Sequence, residues 1–215
     1  SAHMRRFRKL ARFAPSPFML CLRESLRWVS MSANGSDPRS VVNAMIAIGN
    51  RIGVALPNVS IQKLLYFAHA SFLVQNKRPL VQGVFEAWDY GPVCPPVYHA
   101  LKEYGREPVK EPIRKVNPFT GEISDVDPLQ DAGALFHLEH VLRTMGHLSP
   151  GQLIELSHAP EGAWADVWNK SKTGPTIGNR IDDILTVSRF SRLKMPLRDA
   201  STYGETDEAT PFAGD

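Results

Sequence analysis

Seven histidines and two cysteines are where bond chemistry would have to begin in this 215-residue sequence. His137, His140 and His147 read as one side of a helix, away from Leu138, Val141, Leu142 and Met145. At about 1.5 Å of rise per residue, His140 and His147 stand about 10.5 Å apart along that helix. One metal ion cannot span that, so these read as solvated surface histidines. Cys94 precedes His99, but Pro95-Pro96 stiffens the link and no recognisable Asn or Asp partner completes a thiol nucleophile. Asp125, Asp127 and Asp131 look like paired carboxylates, yet Asp127 before Pro128 fits a helix cap better, and Asp182-Asp183 fits a solvated helix face. Neither a dinucleotide-binding glycine motif nor a phosphate loop is present. The expectation is a protein that is not an enzyme and uses no cofactor or metal.

The stretch 61–93 suggests recognition instead. Taking Ile61 as a starting point, Leu64, Leu65, Ala68 and Phe72 fall on one helical face, the core side. Gln62, Tyr66, His69 and Leu73 line a second face, a polar-aromatic stripe where a simple surface helix would carry solvated charges. Tyrosine offers area together with a polar tip, which suits an interface. Trp88 and Tyr90 share a strand face, and Trp164 and Trp168 share one side of a short helix. The alternative is that these aromatics are core, with Tyr66, Glu86 or His158 satisfying buried hydrogen bonds.

These residues need elements to position them. Asp37-Pro38 reads as cap and first turn of a helix to about Arg51, with Val42, Met45, Ile46 and Gly49 on its apolar side. Ser60 is expected to cap a helix over about 61–76. Alternation and β-prone residues give a strand over about 82–90, broken by Gly91-Pro92. Pro95-Pro96 starts a short helix through Tyr104, with Gly105 closing it. A hairpin is expected over about 113–124 around Asn117-Pro118-Phe119-Thr120-Gly121. Asp127-Pro128 opens a long helix to about Met145, Ser149-Pro150 opens another, and helical segments follow at 162–170 and 178–190. The fold class is mainly α, one compact helical domain over 37–195 with a small antiparallel β element. An alternating βαβ pattern is absent, which argues against a doubly wound sheet.

Charge is unevenly spread. The formal net charge is +3, but Arg5, Arg6, Arg8, Lys9, Arg12, Arg23 and Arg27 face only Glu24 in the first thirty residues. The rest is mildly acidic, so a protein-wide footprint for nucleic acid is missing. Residues 1–36 read as a tag remnant, Ser1-Ala2-His3-Met4, followed by a basic arm; Met31 is a candidate natural initiator. Residues 196–215 read as a disordered acidic tail. Two cysteines without a framework fit a cytoplasmic protein, and no apolar run suits a membrane. A helix–turn–helix would find Lys63 alone on 61–76 before Lys77-Arg78, and no Arg or Lys on 150–158, too few for a recognition helix. A phage-derived DNA-binding regulator using the arm is the alternative reading.

Four fragments then stand in order: Lys63-Leu64-Leu65-Tyr66-Phe67-Ala68; Phe85-Glu86-Ala87-Trp88-Asp89-Tyr90-Gly91-Pro92-Val93; Val97-Tyr98 with Leu101-Lys102-Glu103-Tyr104-Gly105; and Leu153-Ile154-Glu155-Leu156-Ser157-His158 with Ala163-Trp164. Together they resemble the Panacea domain of the SocA-like and GepA-like family of bacteria and phages. The resemblance implies an antitoxin that neutralises a cognate toxin by direct protein binding. In the SocA-like branch it further implies an adaptor delivering the toxin to the ClpXP protease. Gln62, Lys63, Tyr66, His69 and Tyr90 are the expected partner-binding residues. Leu64, Leu65, Glu86, Trp88, Gly91, Pro92, His158 and Trp164 are the expected structural motif. Segments outside the motif, around 106–131, are expected to choose the partner.

Overall fold

The computed structural model describes residues 35–173 and 179–192; the basic arm and the acidic tail lie outside them. Helix α1 (Pro38–Ile52) begins as expected, the Asp37 carboxylate accepting from the Arg39 N–H, and ends at Gly53 in the left-handed region. Helix α2 (Asn58–Asn76) follows. Its cap is Pro57 and not Ser60, which lies buried inside the first turn. Three residues of start were missed because Asn58 and Val59 carry no periodic signal of their own.

Helix α2 is the axis of the molecule. Nearly every side chain from Asn58 to Leu73 is buried, so the helix has no solvent face. It is enclosed by α4 (Ala132–Met145), α5 (Pro150–Ser157), α7 (Asp183–Phe190) and the strand Gly91–Val93, with α1 and α3 (Pro95–Leu101) completing the shell. The core runs continuously from Val41, Val42 and Met45 on α1 through Leu64, Leu65 and Phe72 on α2 to Leu138, Val141 and Met145 on α4.

The expected strand 82–90 is shorter, β1 (Phe85–Trp88), and Gly91-Pro92 does more than break it. After an Asp89-Tyr90 turn the chain returns as β2 (Gly91–Val93), pairing Trp88 with Gly91. A third strand, β5 (Arg180–Ile181), joins the other edge of β1, giving the antiparallel order β2-β1-β5. The helix expected over 178–190 therefore starts only at Asp183, capped by Asp182. Two residues are too few for alternation to reveal a strand.

A separate hairpin, β3 (Arg114–Val116) with β4 (Ile123–Asp125), stands where it was expected. Asn117 accepts from the Phe119 and Thr120 N–H groups at its turn. Asn43 of α1 clamps its base, exchanging two hydrogen bonds with the Ile113 backbone. Helix α3 passes into one 3-10 turn, Lys102–Tyr104, and Gly105 ends it. Helix α4 starts at Ala132, four residues later than Asp127-Pro128 suggested, because Asp131 caps it and also pairs with Arg78. Ser149 and Gln152 form a reciprocal capping box on α5, and α6 (Ala163–Thr173) packs against α7, β1 and β5.

The histidine assignment needs correction. His137 and His140 are buried on α4, and only His147 is exposed. Helix α4 is wedged between α1 and α2, so its buried arc is wide enough to take in the histidines beside Leu138 and Val141. His137 Nε2 lies 2.9 Å from the Ser71 hydroxyl and 3.1 Å from the Ala68 carbonyl, and its ring stands edge-on to Phe72. Burial pushes its pKa down to about 4.

Candidate functional site: a lysine-floored groove

The polar stripe of α2 is not a surface. Gln62, Lys63, Tyr66 and His69 are each 5% exposed or less, so the expectation of an exposed contact face is overturned. The physical reason is that the helix has neighbours all round, and each polar group on it finds an internal partner. His69 Nδ1 accepts from the Val81 N–H, which leaves Nε2 to donate to the Asp183 carboxylate at 3.0 Å. Asp183 is thus not on a solvated helix face; it ties α7 to α2. Tyr66 packs edge-on against Phe85, burial raises its phenol pKa strongly, and Thr186 is its hydrogen-bonding partner. Gln62 turns toward β2, its side-chain carbonyl accepting from the Cys94 N–H at 2.9 Å. Of the expected partner-binding residues, only Tyr90 is open to solvent, at 71%.

Lys63 is different in kind. It is 1% exposed, and its ammonium donates to the Pro92 carbonyl at 2.9 Å. Burial alone pulls its pKa down to about 7. Gly91 makes the close approach possible. Its φ of +95° suits glycine, and a Cβ there would run into the Ser157 hydroxyl and the end of the Lys63 side chain. Ser157 is followed by His158, whose ring stacks on Trp164 at 3.7 Å. Among the described residues His158 Nε2 is buried without a hydrogen-bond partner, and burial, then the Lys63 charge, lower its pKa. Trp164 donates to the Trp88 carbonyl at 2.9 Å, while the Trp88 indole donates to Glu86 at 2.9 Å. Residues from three of the four sequence fragments therefore meet in one cluster around Lys63. Leu64 and Leu65 sit apart from it in the core, and Tyr66 and His69 face the opposite side, toward α7.

Beside this cluster opens a groove of about 530 Å³. Lys63 and Gln62 contribute to its lining, Trp88, Tyr98 and Trp168 add aromatic surface, and Val59, Asp89 and Tyr90 are exposed members. Trp88 and Tyr98 meet edge-on at 4.8 Å. Val59, Tyr98 and Trp168 were not singled out as contact residues. Trp168 had been set on one side of a short helix with Trp164 by their spacing, and the two rings stack at 5.4 Å.

Cys94 and the metal-ligand types were the other candidates for chemistry. Cys94 is buried and its thiol is pushed up to about 11, mainly by burial, so it is a poor nucleophile at neutral pH. Among the described residues no cluster of three or more histidine, cysteine or carboxylate side chains suits a metal ion. No described helix is long and apolar enough to cross a membrane.

The class is a mainly helical domain whose small sheet packs over a buried lysine, with a groove beside it. The family described as antitoxin SocA-like, Panacea domain, matches residues 61–165. The chain is also similar to Antitoxin SocA of Caulobacter vibrioides (strain NA1000 / CB15N), 37% identical over 175 residues, which cover 81% of this chain and 93% of that protein. No solved structure is a significant match. The chain belongs to the SocA-like Panacea family of antitoxins.

Proposed function

We propose that this protein neutralises a cognate toxin in the cytoplasm by direct protein–protein contact, without chemistry of its own, and passes the bound toxin to the ClpXP protease. The observation that carries the reading is the 37% identity along nearly the whole of Antitoxin SocA. The geometry is in keeping with it. The cysteine and the buried His137 are tuned away from neutral acid–base or nucleophilic work, whereas the groove and the β3–β4 hairpin offer aromatic and apolar surface to a partner. Contact through the hairpin would set which toxin is taken.

The test is co-expression with the product of the adjacent reading frame. That product alone is expected to arrest growth, and this protein to restore it and co-purify with it. Purified ClpXP should then degrade the toxin only when this protein is added. A harmless or non-binding neighbour overturns toxin capture. Rescue in cells lacking ClpXP overturns the adaptor role while leaving capture intact.

A further inference from the structure

Among the largest fully buried side chains of the described residues is a lysine, Lys63. Among the described residues, no carboxylate pairs with Lys63; its one hydrogen-bond acceptor is the Pro92 carbonyl. Holding an ammonium out of water without a counter-charge is costly, and an apolar side chain of similar volume would fill the space without that cost. Glu86 accepts from the Trp88 indole on its own strand, and among the described residues no ion pair ties it to Lys63. His158, stacked on Trp164, offers a ring and no negative charge. An amine whose positive charge has no counter-charge thus lies at the floor of a groove whose walls are aromatic.

We infer that this groove is the toxin-capture site, and that it takes a toxin segment in which an acidic side chain reaches toward Lys63 while a large apolar neighbour lies against Trp88, Tyr98 and Trp168. The inference rests on the toxin-capture reading and names its site. Charge complementarity selects the occupant: among the described residues the only other charged side chain in the lining is Asp89, which is exposed at the turn and screened by solvent. An entering carboxylate supplies the counter-charge that Lys63 lacks, in a site already poor in water, where a charge-assisted hydrogen bond is strongest.

The experiment uses the full chain and the product of the adjacent reading frame. Lys63→Met keeps the stem and removes the charge, so the variant is expected to melt at a higher temperature than the wild type. Its affinity for the toxin should nevertheless fall at least about thirtyfold, the usual consequence of removing one member of a buried charge pair. Val59→Arg, on the exposed rim, obstructs the groove without touching the core and should weaken binding at least tenfold. One Asp or Glu of the toxin, changed to Asn or Gln, should weaken binding to the wild type and have no added effect against Lys63→Met. If both variants bind as the wild type does, the groove proposal is overturned and toxin capture elsewhere on the surface stands. If every toxin carboxylate change is additive with Lys63→Met, the charge pairing is overturned. If the wild type itself fails to bind, both readings fall together.

Discussion

The Lys63 cluster and the β3–β4 hairpin lie in the same domain and are built in opposite ways. Around Lys63, Gly91 fits against the lysine and Ser157, and Trp164 bonds the strand that carries Trp88. On the hairpin, Phe119 is 95% exposed, and Val116 and Ile123, paired across the strands, are more than half exposed. Most of the residues that resemble the family are consumed in making the scaffold, while the hairpin, which carries none of the quoted fragments, spends large apolar side chains on solvent. Exposed apolar groups of that size on a small hairpin gain nothing in the free protein. Close-packed cluster and exposed apolar surface are thus separate parts of the domain, and the groove is lined beside the first.

Gly91 gives the strongest way to break that contrast. Gly91→Ala must place a Cβ at a φ of +95° and against Ser157 and Lys63. Backbone strain and overpacking each cost about 1–3 kcal/mol, so a loss of about 3 kcal/mol is expected in urea unfolding. A loss below about 1 kcal/mol would mean the turn and the lysine can part, and the cluster would not be a rigid scaffold.

His137 sharpens the same side of the comparison through pH. Its folded pKa of about 4 lies below its ordinary value of 6.5. Above pH 6.5 both folded and unfolded states hold the neutral ring, and its contribution is fully present. As pH falls from 6.5 toward 4, the unfolded chain takes up a proton that the folded one refuses. Stability should drop by about 1.4 kcal/mol per pH unit, about 3 kcal/mol in all. The difference in unfolding free energy between wild type and His137→Gln, followed over that window, isolates this residue from the other histidines. A difference that does not change with pH would place His137 in water.

Local signals made much of the fold legible. Asp37-Pro38, Ser149-Pro150 and the Asn117–Gly121 turn announce themselves because capping and turn chemistry is written in adjacent residues. What stayed hidden was tertiary. Periodicity separated the apolar side of α2 from the stripe of Gln62, Tyr66 and His69, but it could not say that other elements cover that stripe as well. The same blindness set His137 and His140 in solvent. For the site, the fragment carrying Lys63 was legible as part of a likeness, but the depth of the lysine was not. That depth depends on Gly91 and Ser157, which are 28 and 94 residues further along. Asp183, the partner of His69, is further still at 114 residues.

The hairpin gives the smallest expected change in stability and the cleanest test of the division of labour. Phe119 touches nothing that its loss would uncover, since the turn is held by Asn117 and the base by Asn43. Phe119→Ser should therefore leave the unfolding free energy within about 0.5 kcal/mol of the wild type. If the hairpin chooses the partner, the same change lowers affinity for the toxin about tenfold, the cost of losing one well-placed aromatic contact. Calorimetry on one preparation reads both quantities. Unchanged affinity would hand partner choice to the groove alone. A large fall in stability would show that the hairpin tip is packed, and the contrast between the two regions would fail at the residue where it is greatest.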